Sequence, residues 1–445
     1  MAGGSARAAK KRILFGMFPA WGHVAPTVAI AQQLQDRGHD VAYAVHPAIS
    51  ALLAEAGLET LAGLGWGRVA VRSQQHLQRG GFDLAWLVRV ARGRPATTLV
   101  DDLPRGVDEL RVAMHRFWPD VIVNDLLFAP GSIAAELAGV PWAGSCPFAL
   151  PQWDDDLPPY GSGIPYGAPR DLRWRLLDLR TRRFRRRLDR SINRARRKLG
   201  AEALPHPFSR LSPWLDVAYV TEAIEYPRPS LGRQVHFVGP SISRRRGDHR
   251  IPFPWDWLDG CPLVLVSLGT IFVHHERFLR SCAEAARDQP WQMVVRVGPA
   301  FDPTRGEAPP DNVRFVTELA QLALLPKCAA MLSHAGMSSV LEALSEGVPL
   351  VLAPAAVEQP DTAARVVRAG AGIRIDLRRA GRDEIRTALR RVLDEPAFRE
   401  NARRIAGDFA RCDGPVVAAD LIERLADTRR PVLRPPGRGP TVYVR

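Results

Sequence analysis

Short apolar runs recur along this chain, each followed by a turn of small residues and then by a stretch with helical periodicity. That alternation leaves few folds open. Residues 12–18 (RILFGMF) form one such run, residues 25–37 (APTVAIAQQLQDR) carry a helical pattern closed by Gly38, and residues 40–45 (DVAYAV) form the next run. Strand, helix and strand in this order make a β-α-β unit, the opening of a doubly wound sheet. Further strands are expected at Val121 to Asn124, Pro141 to Ser145 and Val235 to Val238. Between Gly239 and Trp257 the sequence turns to Pro, Arg, Ser and Gly (GPSISRRRGDHRIPFPWDW), and then a second series begins. Its strands fit Leu263 to Ser267, Gln292 to Val297, Val313 to Val316, Ala329 to Ser333 and Pro349 to Ala353, with helical segments such as Ser338 to Glu346 between them.

The expected fold is therefore α/β, with two Rossmann-like doubly wound domains facing a central cleft. Residues 1–240 form the first, 241–257 the linker, 258–428 the second, and 429–445 a Pro- and Arg-rich tail whose composition marks it as loosely ordered. At 445 residues the chain exceeds the roughly 250–300 at which single cores stop growing. Its 46% hydrophobic and 24% charged residues are those of a soluble globular protein. The apolar run Ile13 to Phe18 is too short for a signal-peptide core. The longest one, Val348 to Val357, is broken by two prolines and falls short of the roughly 18 residues a membrane-spanning helix needs. Five cysteines lie scattered with no C-x-x-C pair, which suggests neither a disulfide framework nor a zinc site and fits a cytoplasmic location.

The formal charge of +14 would ordinarily raise nucleic acid as a partner, but the excess is local. Arginines crowd residues 170–198, while Leu172, Leu176, Leu179, Phe184, Leu188, Ile192, Ala195 and Leu199 recur there at helical spacing. The pattern reads as an amphipathic basic helix or helix pair, either a surface helix with a solvated Arg face or one that docks on anionic lipid.

The most informative segment is H-A-G-M-S-S-V-L-E, His334 to Glu342, directly after an apolar strand and opening a helix that Gly347 closes. Ala335 and Gly336 allow close backbone approach. The N–H groups and dipole of the helix start attract anions, and Ser338 and Ser339 add hydroxyl donors. Glu342 lies one turn further on the same face, where a carboxylate can accept from two ribose hydroxyls. An ordinary capped helix with a buried His would read the same in isolation. The segment resembles, however, the nucleotide-sugar signature of family 1 GT-B glycosyltransferases, the plant secondary-product and bacterial macrolide-type natural-product enzymes. There H-x-G-x-x-S-x-x-E is followed by G-V-P and D/E-Q; here Gly347-Val348-Pro349 and Glu358-Gln359 follow in that order.

The resemblance implies that His334, Gly336, Met337, Ser338 and Ser339 meet the diphosphate, Glu342 the ribose, and Glu358 with Gln359 the hydroxyls of the donor sugar. It also implies that Ser267-Leu268-Gly269-Thr270 forms the loop beside the β-phosphate, with Ser267 and Thr270 as contacts. One departure stands out. Where the family carries W-x-P-Q, with Trp stacked on uracil, this chain has Glu318-Leu319-Ala320-Gln321. Leu319 keeps its backbone and Gln321 its amide, and the preference for UDP over dTDP rests on Glu358-Gln359, which favour a fully hydroxylated hexose.

On the first domain, Trp21-Gly22-His23-Val24-Ala25-Pro26 occupies the turn between the first strand and first helix. The dipole at a helix start disfavours an imidazolium, which should keep His23 neutral and able to accept a proton. A hydroxyl attacking an anomeric carbon must lose its proton as the bond forms, so a base is wanted there. Asp125, at the end of a strand on the same rim, can hold the other ring nitrogen. Helix capping is the plain alternative for both residues; the G-H-x-x-P pattern also resembles the family's catalytic histidine turn. Direct displacement would invert the anomeric centre. No metal and no cofactor beyond the nucleotide sugar is called for, and Asp154-Asp155-Asp156 reads as solvated loop.

Trp21, Trp66, Phe82, Trp86, Phe148 and Trp153, with Tyr160 and Tyr166, supply aromatic walls for a lipophilic acceptor, although core packing can explain any one of them. Two rivals remain: an isomerase of nucleotide sugars on the same scaffold, and a non-catalytic nucleotide-binding partner of another transferase.

Overall fold

The apolar runs become the strands of two wholly parallel sheets in a computed structural model. It describes residues 9–61, 64–66, 100, 102–148, 150, 157–243, 245, 251–269, 275–303, 305 and 307–444. The first lobe contains β1 (Arg12–Gly16), α1 (Trp21–Asp36), β2 (Asp40–Ala44), α2 (Pro47–Glu55), β3 (Glu59–Thr60), α3 (Leu103–Phe117) and β4 (Val121–Asp125). It continues with α4 (Ala129–Leu137), β5 (Trp142–Cys146), α5 (Leu172–Lys198), β6 (Leu215–Ala218) and β7 (Val235–Phe237). The strand order is β3-β2-β1-β4-β5-β6-β7. Sheet growth reverses between β1 and β4, so a crevice opens at their carboxyl ends. Phe15 lies opposite Val123 and Gly16 opposite Asn124, a register that sets the turn after β1 beside Asp125.

The second lobe runs through β8 (Leu263–Ser267), α6 (Glu276–Ala285), β9 (Gln292–Arg296), β10 (Val313–Val316), α7 (Gln321–Leu324) and β11 (Cys328–Ser333). It continues through α8 (Met337–Ser345), β12 (Leu350–Leu352), α9 (Gln359–Arg368), β13 (Gly372–Arg374), α10 (Arg382–Asp394) and α11 (Pro396–Ala410). The order β10-β9-β8-β11-β12-β13 places its reversal between β8 and β11, where Ser267 faces Ser333. Because helices cover both faces of each sheet, strands such as β4, β5 and β8 are buried along their whole length. Their sequences accordingly read as continuous apolar runs. Gly38 and Gly347, at φ +93° and +65°, end α1 and α8 in the left-handed conformation that a side chain would disfavour.

The end of the chain departs from expectation. A final helix, α12 (Gly414–Thr428), packs on α1, β4 and β6 of the first lobe instead of completing the second. Its Val417, Ala418, Ile422, Leu425 and Ala426 form a buried stripe; truncating Ile422 or Leu425 to Ala would cost about 2–5 kcal/mol. The tail expected to be loose is ordered. Val432 N–H bonds Trp214 O (2.8 Å), Arg434 N–H bonds Arg233 O (2.8 Å), and Thr441 pairs with Phe237 at the open edge of β7. The edge strand's unpaired backbone groups give the tail a place to bind, which its Pro and Arg content does not disclose. No helix among the described residues is long and apolar enough to cross a membrane.

Candidate active site

α1 begins at Trp21, four residues before the expected start, and puts His23 in its first turn. Pro26 explains the local design. It has no N–H, so the carbonyl it would have bonded one turn back, that of Gly22, receives no bond from it. That carbonyl instead accepts the Ser338 hydroxyl of the second lobe at 3.3 Å. The two helix starts, α1 and α8, thus meet across the cleft.

His23 Nδ1 donates to Asp125 Oδ2 at 2.9 Å, since an ionised carboxylate only accepts. Asp125 is fully buried and its Oδ1 accepts the Leu127 N–H at 2.8 Å, which fixes the carboxylate's orientation. The imidazole, 17% exposed, is flanked by Phe18 (ring centroids 5.0 Å) and by the edge of Phe148 (5.4 Å). Nε2 is left as the proton acceptor. Burial opposes the imidazolium, but the charge and hydrogen bond of Asp125, with Glu358 across the cleft, outweigh it and raise the pKa above 6.5. The direction expected from the helix start is corrected here: the charge and hydrogen bond of Asp125, then Glu358, raise the ring's pKa against its burial.

The donor-side elements converge on the facing rim. α8 starts at Met337 with Gly336 as its cap residue, and among the described residues no side chain caps its start, so its first N–H groups are not taken up by a cap. The His334 ring lies between two glycines. A Cβ on Gly269 would come within 2.7 Å of it, and one on Gly336 within 2.5 Å. Burial first, then Arg296, lower its pKa to about 4 against a bond with the Ser267 backbone, so this second histidine is neutral at pH 7. Ser267 Oγ is buried and has no partner among the described residues. Gln321 Nε2 donates to Glu342 Oε2 (2.5 Å) and lies 3.4 Å from Ser339 Oγ, which gathers Gln321, Ser339 and Glu342 into one polar patch. Leu319 turns its side chain into the core, leaving only its backbone for a ligand.

Glu358 and Gln359 sit at the start of α9. Gln359 Oε1 accepts the N–H groups of Ala355 (2.9 Å) and Ala356 (3.1 Å), so its amide NH₂ is the end that can be presented. Burial, above all, raises the Glu358 pKa, with His23 opposing. Two non-glycine residues at positive φ lead into these groups, Ala335 (63°) before Gly336 and Val357 (57°) before Glu358. A β-branched residue there costs about 1–3 kcal/mol, strain that gathers where geometry serves a ligand.

Sequence reasoning missed a clasp between the lobes. Gly161 and Gly163, in the loop after β5, donate their N–H groups to Asp361 at 2.6 and 2.8 Å, and Arg374 donates to Gly163 O at 3.0 Å. Beneath it, Arg365 makes two bonds to Glu225 Oε1 (2.8 and 2.7 Å) and lies 4.0 Å over the Tyr226 ring. The clasp brings Tyr160 to the start of α9, where burial, then Glu358 and Asp361, hold its phenol protonated. The only signal was a run of glycines and prolines that reads as loop.

Of the expected acceptor walls, Trp21 is half-buried at the cleft and Phe148 stands against His23. Trp66 is corrected to a core residue: 2% exposed, edge-on to Phe128 and Phe18, it supports the wall instead of forming it. Phe82, Trp86, Trp153, Thr270 and the Asp154 to Asp156 run lie outside the described residues. Among the described residues, no group of three or more His, Cys, Asp or Glu could hold a metal ion.

A family model described as "UDP-glucoronosyl and UDP-glucosyl transferase" matches residues 206–421. The 4'-demethylrebeccamycin synthase of Lentzea aerocolonigenes is 32% identical over 423 residues, 93% of this chain and 99% of its own. The chain belongs to this glycosyltransferase family. Solved structures carry the same two-lobed GT-B fold: the kitacinnamycin glycosyltransferase superposes with a TM-score of 0.73 at 23% identity, covering 94% of this chain and 99% of that one. A spinosyn rhamnosyltransferase complexed with thymidine diphosphate gives 0.66 at 20% identity, covering 93% and 99%. This glycosyltransferase is thus of the nucleotide-sugar-dependent, natural-product type.

Proposed function

We propose that this glycosyltransferase moves a hexose from a UDP-sugar to a hydroxyl of a lipophilic small-molecule natural product, inverting the anomeric centre without a metal ion. The reading rests on one observation: the His23–Asp125 pair at the start of α1 lies across a hydrogen-bonded contact from the start of α8. The acceptor hydroxyl gives its proton to His23 Nε2 as its oxygen bonds the anomeric carbon. The bond from that carbon to the diphosphate breaks, and its electron pair leaves on the diphosphate oxygen. Asp125 stabilises the imidazolium that forms, and the raised pKa of His23 is the equilibrium signature of that support. The N–H groups of α8 with Ser338 and Ser339 take up the negative charge of the departing diphosphate, while neutral His334 braces the loop around it. Ser338, now bonded to Gly22, is placed to change partners when a phosphate arrives. Glu358 and Gln359 meet the sugar hydroxyls, and Phe148 and Trp21 line the acceptor side.

The thymidine diphosphate of the spinosyn enzyme makes dTDP-sugars the necessary counterpart in any test. Incubation with a panel of UDP- and dTDP-hexoses, with and without apolar hydroxylated acceptors, is expected to give nucleoside diphosphate release that depends on acceptor and is highest with a UDP-hexose. Conversion of the donor sugar with no acceptor present would point to an isomerase and overturn the reading.

A further inference from the structure

The basic segment resolves into one 27-residue helix, α5, whose two faces differ in kind. Leu188, Ile192 and Ala195 turn inward onto Val100 and Leu103, and Arg196 reaches Glu136 of α4 at 2.7 Å. The outward stripe begins with Leu172, Leu176 and Leu179, which are 73%, 54% and 44% exposed. At helical spacing it continues through exposed Arg183, Arg187, Arg190, Arg194 and Arg197. The helix's own carboxylates are engaged elsewhere. Asp171 caps it by accepting the Trp174 N–H, Asp178 bonds Arg182, and Asp189 is buried and accepts the Phe208 N–H. The stripe therefore presents positive charge along most of its length and leucine at one end. That end follows directly from the loop whose Gly161 and Gly163 clasp the second lobe beside the cleft.

We infer that the outer face of α5 docks this enzyme on a bilayer surface rich in anionic lipid, with the leucines entering the headgroup boundary and the arginines meeting lipid phosphates. A face serving only to solvate the protein gains nothing from three exposed leucines in register. A face for nucleic acid would use the arginines and leave the leucines idle, whereas an interfacial helix uses both. Docking at this end would hold the cleft mouth next to the phase in which a lipophilic acceptor dissolves. The docking inference stands on the surface of α5; only its link to a lipophilic acceptor rests on the proposed function.

The test is co-sedimentation of the full chain with phosphatidylglycerol-containing vesicles and with pure phosphatidylcholine vesicles. Expected is binding to the former alone, weakened by salt and reduced at least about tenfold in the R183Q/R187Q/R190Q variant. A second variant, L172S/L176S, is expected to lose vesicle binding while keeping any retention on duplex DNA. Transfer to a water-soluble acceptor should be unchanged in both variants, which also reports that they fold. Absence of binding to anionic vesicles would overturn the inference. So would DNA binding as tight as vesicle binding with no effect of the leucine changes, since that marks a general polyanion surface.

Discussion

Two histidines face the cleft from the two lobes, and their surroundings displace their pKa values in opposite directions. Each follows the strand at its sheet's reversal point and precedes or opens a helix facing the cleft: His23 after β1 and His334 after β11. His23 has a buried carboxylate 2.9 Å away and a raised pKa. His334 is enclosed by Gly269 and Gly336, with Arg296 nearby, and is lowered to about 4. The same residue type in the same kind of turn is fitted to two tasks by its neighbours, proton transfer on one side and an uncharged brace for a phosphate loop on the other.

Removing each ring should break that contrast in a different kinetic constant. His23→Ala is expected to lower kcat by about a hundredfold or more with donor KM little changed, measured as acceptor-dependent nucleoside diphosphate release. His334→Ala should act the other way, raising donor KM by about tenfold through the lost support of the loop. Its pH profile should keep the wild-type shape, because a ring with a pKa of about 4 is neutral throughout the working range. Equal kinetic effects of the two substitutions would erase the distinction.

The frame that holds the two rings could be read in the amino-acid order, while their opposite displacement could not. Strand β8 spans the residues expected because a wholly buried parallel strand leaves uninterrupted apolar text bounded by polar turns, and β10, at the sheet's edge with Arg314 exposed, also spans the residues expected. The placement of His23 and Asp125 on one rim followed from their positions at the ends of neighbouring elements, and the 2.9 Å bond is what that rim allows. The direction of the His23 pKa was misjudged. Both the helix start and Asp125 were visible in sequence; what the sequence does not disclose is that the charge and hydrogen bond of Asp125, helped by Glu358 across the cleft, outweigh burial of the ring. Long-range partners account for the other differences too. An apolar stripe such as that of α12 declares that it will be buried but not against which sheet, and Trp66 declares a large ring but not whether solvent reaches it. The Asp361 clasp consists of backbone N–H groups on one lobe meeting a carboxylate on the other, and backbone donors leave no mark in a sequence.

The pH dependence of kcat/KM for transfer, compared between the wild type and Asp125→Asn, tests the base assignment most directly. A base must be unprotonated to act, so the wild-type rate should climb with pH along a limb centred above 6.5. Without the carboxylate's charge, burial governs the ring: the limb should move toward acid and the plateau should fall by at least about tenfold. A limb that stays in place, with a plateau close to wild type, would contradict the assignment of His23 and Asp125 as the pair that takes the acceptor's proton.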